Sequence, residues 1–377
     1  MPSIRVRSLP SRKSAATFPP THWIGNPPTH FQNPWPSYKK TSFRSGLYTR
    51  FGPNRNFVPV PENRHELVKV RTPDWGRTQQ DWKLGLKATW LGHAGFLIET
   101  AAVDKAKRGI RILFDAVFSE RTSPVSFLGP KRYTPTPCQL EDLPEIDLII
   151  LSHDHYDHLD FATIKYVYDK QKQARRDVHF FAGLRNKRRF LKSGLGIQDD
   201  EVTECDWWDE QEVTVEGIGT IRLACTPAQH TSGRTGFDAG STLWCSWVVE
   251  DTQSDKRLYF AGDTAYKTTT ADSPCPAFAD IGNLFGPFDL ALLPIGLCSP
   301  PSFMSNVHCT PDQTLEIHKA IRSKKSIGKH WGTFRGGLSQ YYEPVTEPPR
   351  KWRECAEKEG LWGTECLLCD VGETVMV

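Results

Sequence analysis

Apolar residues in the middle of this chain fall into short runs, each punctuated by histidine, aspartate or glycine. Ile146-Asp147-Leu148-Ile149-Ile150-Leu151 and Phe288 to Ile295 read as buried strands. Ile110 to Phe114 reads as a strand ending at Asp115, and Lys87 to Ile98 as a hairpin. Ile221 to Cys225, Arg257 to Ala261 and Lys325 to Gly328 are β-like, and Trp244 to Glu250 alternates as a strand does. Helical segments are Phe161 to Lys172, Arg185 to Leu191, Thr310 to about Arg322, and Arg350 to Glu359. In the third, Thr310 is the expected N-cap and Pro311 opens the first turn. The basic side of Arg185 to Leu191 reads as a solvated face. Residues 18–80, rich in proline, asparagine, glycine and aromatics, show little periodicity and are expected to wrap over the core in extended form. No internal repeat and no long linker interrupts the pattern, so residues 19–377 are expected to form one domain.

Composition changes the picture at the N-terminus. No acid precedes Glu62, whereas Arg5, Arg7, Arg12, Lys13, Lys39, Lys40, Arg44, Arg50 and Arg55 are basic. Residues 1–18 therefore read as a basic disordered tail or a mitochondrial targeting segment, although Pro10, Pro19 and Pro20 weaken an amphipathic helix there. Such an arm would also suit an anionic lipid surface. The formal net charge of the whole chain is only +3, so nucleic acid is not an expected partner. No stretch approaches the roughly 20 apolar residues of a membrane span, and no secretory core is present. The ten cysteines are scattered, several in apolar runs, and read as small buried hydrophobes in a reducing, intracellular setting. Cys366-Leu367-Leu368-Cys369 is a lone CxxC, to which no redox or metal role is assigned.

The densest chemistry is Ser152-His153-Asp154-His155-Tyr156-Asp157-His158-Leu159-Asp160, directly after the strand that ends at Leu151. Imidazole and carboxylate suit zinc, iron or manganese, and the absence of cysteine argues against a closed structural zinc site. Ligands this dense cannot all reach one ion. His-x-His can hold a first metal and the following Asp-His a second.

This run is the HxHxDH signature of the metallo-β-lactamase superfamily. The resemblance implies an α/β fold: a four-layer αβ/βα sandwich of two mixed β-sheets flanked by helices. It also implies a later His, Asp and His near strand ends, and His230, Asp263 and His330 occupy such positions. His153, His155 and His230 would hold one Zn2+ or other divalent transition metal. Asp157, His158 and His330 would hold a second, with Asp263 bridging. A hydroxide between such ions forms near neutral pH and attacks directly.

Further segments resemble the N-acyl-phosphatidylethanolamine phospholipase D family. They are Asn33-Pro34-Trp35-Pro36, Trp90-Leu91-Gly92-His93-Ala94, Phe127 to Arg132, Asp206-Trp207-Trp208, Pro227 to His230, Phe285 to Leu290, and Lys329 to Phe334. The likeness runs from about residue 30 to about residue 360. It implies hydrolysis of the phosphodiester to N-acylethanolamine and phosphatidic acid by a peripheral membrane enzyme. Dimers are known in the family, so a homodimer is compatible. Tyr156 and His308 match family active-site residues: Tyr156 to orient substrate, His308 to meet a phosphoryl oxygen or the departing group. Asp115 and His93 are expected behind the ligands, Asp115 accepting from a ligand's other ring nitrogen. Phe127, Leu128, Phe303 and Met304 are candidates for an apolar surface near the metals. The chain departs from the family at Gly296 to Pro301, at Val307, at Thr231 to Arg234 and in the insert Lys267 to Pro274. These departures touch substrate preference and leave every metal ligand in place. A lactonase or phosphodiesterase acting on a soluble molecule remains the alternative, and a non-catalytic metal-stabilised scaffold a third.

Overall fold

The computed structural model describes residues 3–13, 18–53, 55–103, 106–125, 127–235 and 237–377. Two mixed sheets face one another. In spatial order the first contains Ile4–Leu9, Glu210–Val215, Gly219–Thr226, Ser246–Asp251, Lys256–Phe260, Leu290–Pro294, Ser326–Lys329 and Cys366–Leu367. The second contains Thr374–Met376, Lys87–Gly92, Gly95–Glu99, Arg111–Phe114, Leu148–Ile150, His179–Gly183 and Val202–Cys205.

The apolar runs are continuous because both faces of these strands are covered. Successive side chains point to opposite faces. Ile112 and Phe114 face the core between the sheets with Leu258, Phe260, Leu290 and Leu292. The rings of Phe114 and Phe260 stack across it at 4.6 Å. Leu113, Ile149 and Leu151 point outward, where Ile164 and Val167 of the helix Phe161–Gln173 pack on them. Tyr259, Ala291 and Leu293 face outward from the first sheet, against Phe278 and Ile281 of the helix Ala277–Phe285 and Ile317 of the helix Pro311–Ala320. The result is the expected α/β four-layer sandwich.

Three expectations change. Residues 1–18 do not make a tail where they are described: Ile4–Leu9 pairs antiparallel with Glu210–Val215, from Ile4 opposite Val215 to Leu9 opposite Glu210. The acid-free composition has a local reason, since Arg7 pairs with Glu212, Arg5 with Glu216, and Arg12 with Glu210 and Glu250. The wrap of residues 18–80 is not wholly extended and contains the helices Phe43–Phe51 and Arg64–Leu67. Finally, Thr310 precedes its helix as expected, but its side chain makes no capping hydrogen bond.

Parallel pairing places the site. Arg111–Phe114 runs parallel to Leu148–Ile150, and Lys256–Phe260, Leu290–Pro294 and Ser326–Lys329 run parallel to one another. Their carboxyl ends, the usual place for ligands in such sheets, release Asp115, the 152–158 loop, Asp263 and His330 toward one rim.

Candidate active site

Ring nitrogens from distant segments converge on that rim. His153 Nε2 lies 2.9 Å from His155 Nδ1, and His155 Nδ1 lies 3.3 Å from His230 Nε2. Beside them His158 Nε2 is 3.3 Å from His330 Nε2. One carboxylate oxygen, Asp263 Oδ2, is 3.1 Å from His158 Nε2, 3.0 Å from His330 Nε2 and 4.0 Å from His230 Nε2. Asp157 Oδ2 is 3.8 Å from His330 Nε2 and 3.9 Å from His158 Nε2. All seven residues expected as ligands are thus brought together, in two groups with Asp263 Oδ2 between them.

The far side of four of these five rings fixes the tautomer. His155 Nε2 donates to the Gly233 carbonyl at 2.9 Å, His230 Nδ1 to the Val307 carbonyl at 2.7 Å, and His158 Nδ1 to Asp115 Oδ2 at 2.7 Å. Asp115 also accepts from the backbone N–H of Ser152 at 2.9 Å and from its hydroxyl. The hydroxyl in turn faces His153 Nδ1 at 2.9 Å. One carboxylate at a strand end therefore orients two rings, one directly and one through Ser152. Asp115 stands where it was expected, behind the convergent nitrogens.

This arrangement fits a cation. With their protons committed outward, His153, His155 and His230 aim lone pairs at one another, which is unfavourable unless positive charge sits between them. Burial, and for His153 and His155 the neighbouring rings or Arg234, drives these rings below the usual histidine range, His230 to about 4. Burial opposes charge on His158 too, yet Asp263 and Asp115 outweigh it and hold this ring up at about 10. Burial likewise opposes ionisation of Asp263, but His158 and His330 hold it well below the usual carboxylate range. Asp263 Oδ1 and His330 Nδ1 are buried without a hydrogen-bond partner. A nitrogen-rich donor set with two carboxylates suits zinc or a similar transition metal.

His93 is closer in than expected. Its Nε2 lies 3.2 Å from Asp157 Oδ2, and it joins Asp157, His158 and His330 in one cluster of potential ligand atoms. Its backbone turns through φ +52°, its N–H donates to Thr333 Oγ1, and its carbonyl accepts from the N–H of His330. His308 is buried, its Nδ1 3.9 Å from Asp263 Oδ2 and without a hydrogen-bond partner. Tyr156 lines a cavity of about 290 Å³ together with Asp157, Arg234, Leu297 and Phe334.

Sequence reading missed several supports. Asp154, between the first two histidines, is buried and accepts from the Gly233 N–H at 2.8 Å, from Thr242 Oγ1 at 3.0 Å and from Arg189. Arg189 belongs to the helix Lys187–Leu191, whose basic side is therefore not wholly solvated, contrary to its pattern. Its ion pair with Asp154 ties that helix to the histidine loop. Lys329 is buried and donates to the Gly262 carbonyl at 2.7 Å, steadying the turn before Asp263. Gly262 has φ +61°, and a Cβ there would meet Ser152 Cβ at 2.7 Å, so only glycine fits. From the N-terminal wrap, Asn33 Nδ2 donates to the His230 carbonyl at 2.8 Å and Ser37 Oγ to Gln229 at 2.6 Å. The sole available signal for Asp154 was its place inside the histidine run.

Comparison with known proteins agrees with the geometry. A family model described as Beta-lactamase superfamily domain matches residues 110–331. The N-acyl-phosphatidylethanolamine-hydrolyzing phospholipase D 1 of Caenorhabditis elegans is 39% identical over 291 residues, covering 77% of this chain and 75% of that protein. The mitochondrial N-acyl-phosphatidylethanolamine-hydrolyzing phospholipase D of Saccharomyces cerevisiae is 29% identical, covering 91% of this chain and 75% of the relative. Among solved structures, an isothiocyanate hydrolase from Delia radicum gut bacteria shares the fold, with a TM-score of 0.53 and 19% identity over 77% of this chain and 98% of that one. The chain therefore belongs to the β-lactamase superfamily and, within it, to the N-acyl-phosphatidylethanolamine-hydrolyzing phospholipase D family of metal-dependent hydrolases.

Proposed function

We propose that this protein hydrolyses the phosphodiester of N-acyl-phosphatidylethanolamine to N-acylethanolamine and phosphatidic acid, using two Zn2+ ions. The observation that carries this reading is Asp263 Oδ2 between two groups of convergent ring nitrogens, next to Asp157, which lines a cavity. His153, His155 and His230 would hold one ion, Asp157, His158 and His330 the other, and Asp263 both. When bound, such ions supply Lewis acidity toward a phosphoryl oxygen and activate water for in-line attack.

The chain's own residues do the rest. Asp115 and Ser152 keep the lone pairs of His158 and His153 directed inward. Tyr156, on the cavity wall, orients the incoming headgroup. His308 carries an unpartnered Nδ1 toward Asp263 and would hydrogen-bond a phosphoryl oxygen or the departing alkoxide oxygen of the N-acylethanolamine.

A diacyl substrate must reach the site from a membrane. Among the described residues no helix is long and apolar enough to cross one. Phe127 and Leu128, next to the wall residue Pro130, are 72% and 59% exposed, and Phe237, in the loop that carries Arg234, is 98% exposed. Leu47 and Phe51 are exposed on the helix Phe43–Phe51, whose Arg50 reaches Gly337 on the cavity wall. Apolar side chains flanked by arginine suit peripheral docking on an anionic bilayer. Phe303 and Met304 are half-buried, Phe303 against Gly46 of that helix. The yeast relative is named as mitochondrial, and a mitochondrial membrane is our proposed location.

The test is turnover of the zinc-loaded protein on N-acyl-phosphatidylethanolamine in mixed micelles, with mass detection of both products. Chelator-sensitive release of N-acylethanolamine and phosphatidic acid is expected, and Asp263→Ala should lower it by at least about a hundredfold. No release from protein with metals bound would point instead to a soluble phosphodiester or a lactone.

A further inference from the structure

The cavity beside the ligand cluster is almost uncharged. Among the described residues that line it, Asp157 is the one anion and Arg234 the one cation; the remainder is neutral, with Thr122, Ser123 and Tyr156 offering hydroxyls beside Pro130, Leu297 and Phe334. Arg234 is held from both ends. The residue before it is locked to the histidine loop, because the Gly233 carbonyl accepts from His155 and its N–H donates to Asp154. Gly233 takes φ +75°, where a Cβ would meet the Asp238 carbonyl at 2.4 Å. The Arg234 N–H donates to Asp238 Oδ1 at 3.1 Å. At its far end the guanidinium donates through Nη2 to Asp157 Oδ1.

The two oxygens of Asp157 are thereby divided. Oδ2 faces His93, His158 and His330, and Oδ1 faces Arg234. A guanidinium has five N–H donors in a flat fork, and one contact to Oδ1 leaves the others free. The Arg234 side chain is 48% exposed and lines the cavity. Asp157 is 13% exposed, so the pair is shielded on the carboxylate's side and open on the arginine's, which leaves the guanidinium able to serve Asp157 and a ligand at once. A planar donor fork in an otherwise neutral cavity matches a phosphodiester, which carries one negative charge on two non-bridging oxygens.

We infer that Arg234 is a substrate-binding residue that recognises the anionic phosphodiester while holding Asp157 in place from behind. This deepens the phosphodiesterase reading and rests on it: a lactone or other neutral ester offers no charge for Arg234 to meet.

Three measurements on the full chain test it, comparing wild type with Arg234→Ala and Arg234→Lys. These are metal content by mass spectrometry, inhibition by inorganic phosphate, and kinetic constants on bis(4-nitrophenyl) phosphate. A charge-assisted hydrogen bond predicts that Arg234→Ala raises KM and the phosphate inhibition constant together by about 10- to 100-fold with metal content retained. Arg234→Lys should fall between, keeping the charge and losing the fork. Loss of metal with unchanged KM and phosphate inhibition would overturn the inference, reducing Arg234 to a prop for Asp157. So would unchanged values of all three. If the metal-loaded wild type itself neither binds phosphate nor cleaves any phosphodiester, the underlying reading fails instead.

Discussion

Asp115 shows how much rests on a single carboxylate. It sits just past a strand in the left-handed region, at φ +40°, and accepts from Ser152 and His158. Asparagine is nearly isosteric but acceptor at one end only. If its oxygen keeps the Ser152 N–H, its amide must face His158 Nδ1, which would then have to accept. The proton moves to Nε2 and the inward lone pair is lost. Asp115→Asn should therefore weaken metal binding by about 10- to 100-fold with the fold preserved, measured by competition with a chromogenic chelator. Unaltered affinity would mean that the Asp115 contact does not set the ring's tautomer. The dense run from His153 to His158 was legible in the sequence because its ligands are neighbours along the chain. Asp154 and Arg189 as a pair were not, because 35 residues of sequence hide a contact that exists only once the helix Lys187–Leu191 is docked.

Elements behave differently from residues because their stability is shared. Ile4–Leu9 adds an edge strand whose Ile4 and Val6 pack against the main core, while Arg5 and Arg7 pair outward with glutamates. Exposed ion pairs of this kind contribute little. The apolar contacts and the six-residue ladder contribute more, on the order of 2 kcal/mol from burial alone. Removing residues 1–9 should lower the melting temperature and leave Glu210–Val215 as a bare edge prone to self-association. Turnover per folded molecule should be unchanged, since the strand lies at the sheet edge away from Asp263 and His330. Calorimetry with light scattering would decide it; a truncated chain that melts and elutes like the full one would show the strand to be dispensable. Pattern alone could not find this strand, because alternation of half-buried apolar and basic residues near a terminus looks the same as a basic tail until its partner Glu210–Val215 is known.

At the scale of the molecule, the site joins the two sheets. Asp115 and the 152–158 loop leave the second sheet, and His230, Asp263 and His330 leave the first. A ligand that binds the folded state alone stabilises it, by about 4 kcal/mol at a thousand times its dissociation constant. Stripping metal with a chelator should therefore lower the melting temperature by several degrees, and adding zinc should restore it. An identical melt with and without metal, at verified occupancy, would mean that the ions do not clasp the sheets together.

Sequence by itself determined the strands that lead into the ligands, the helices that begin at Phe161 and Pro311, the histidine loop and, through resemblance, the order of the remaining ligands. Each of these is written in neighbouring residues or in a short period, so burial on both faces of a strand or a ligand-dense turn leaves a local trace. Tertiary structure alone decided that Ile4–Leu9 closes a sheet edge, that His93 enters the ligand cluster beside Asp157, and that Arg234 faces both Asp157 and the cavity. Those facts depend on which strand ends meet. The meeting is set by pairing and packing between segments far apart in the chain, and no local pattern records it.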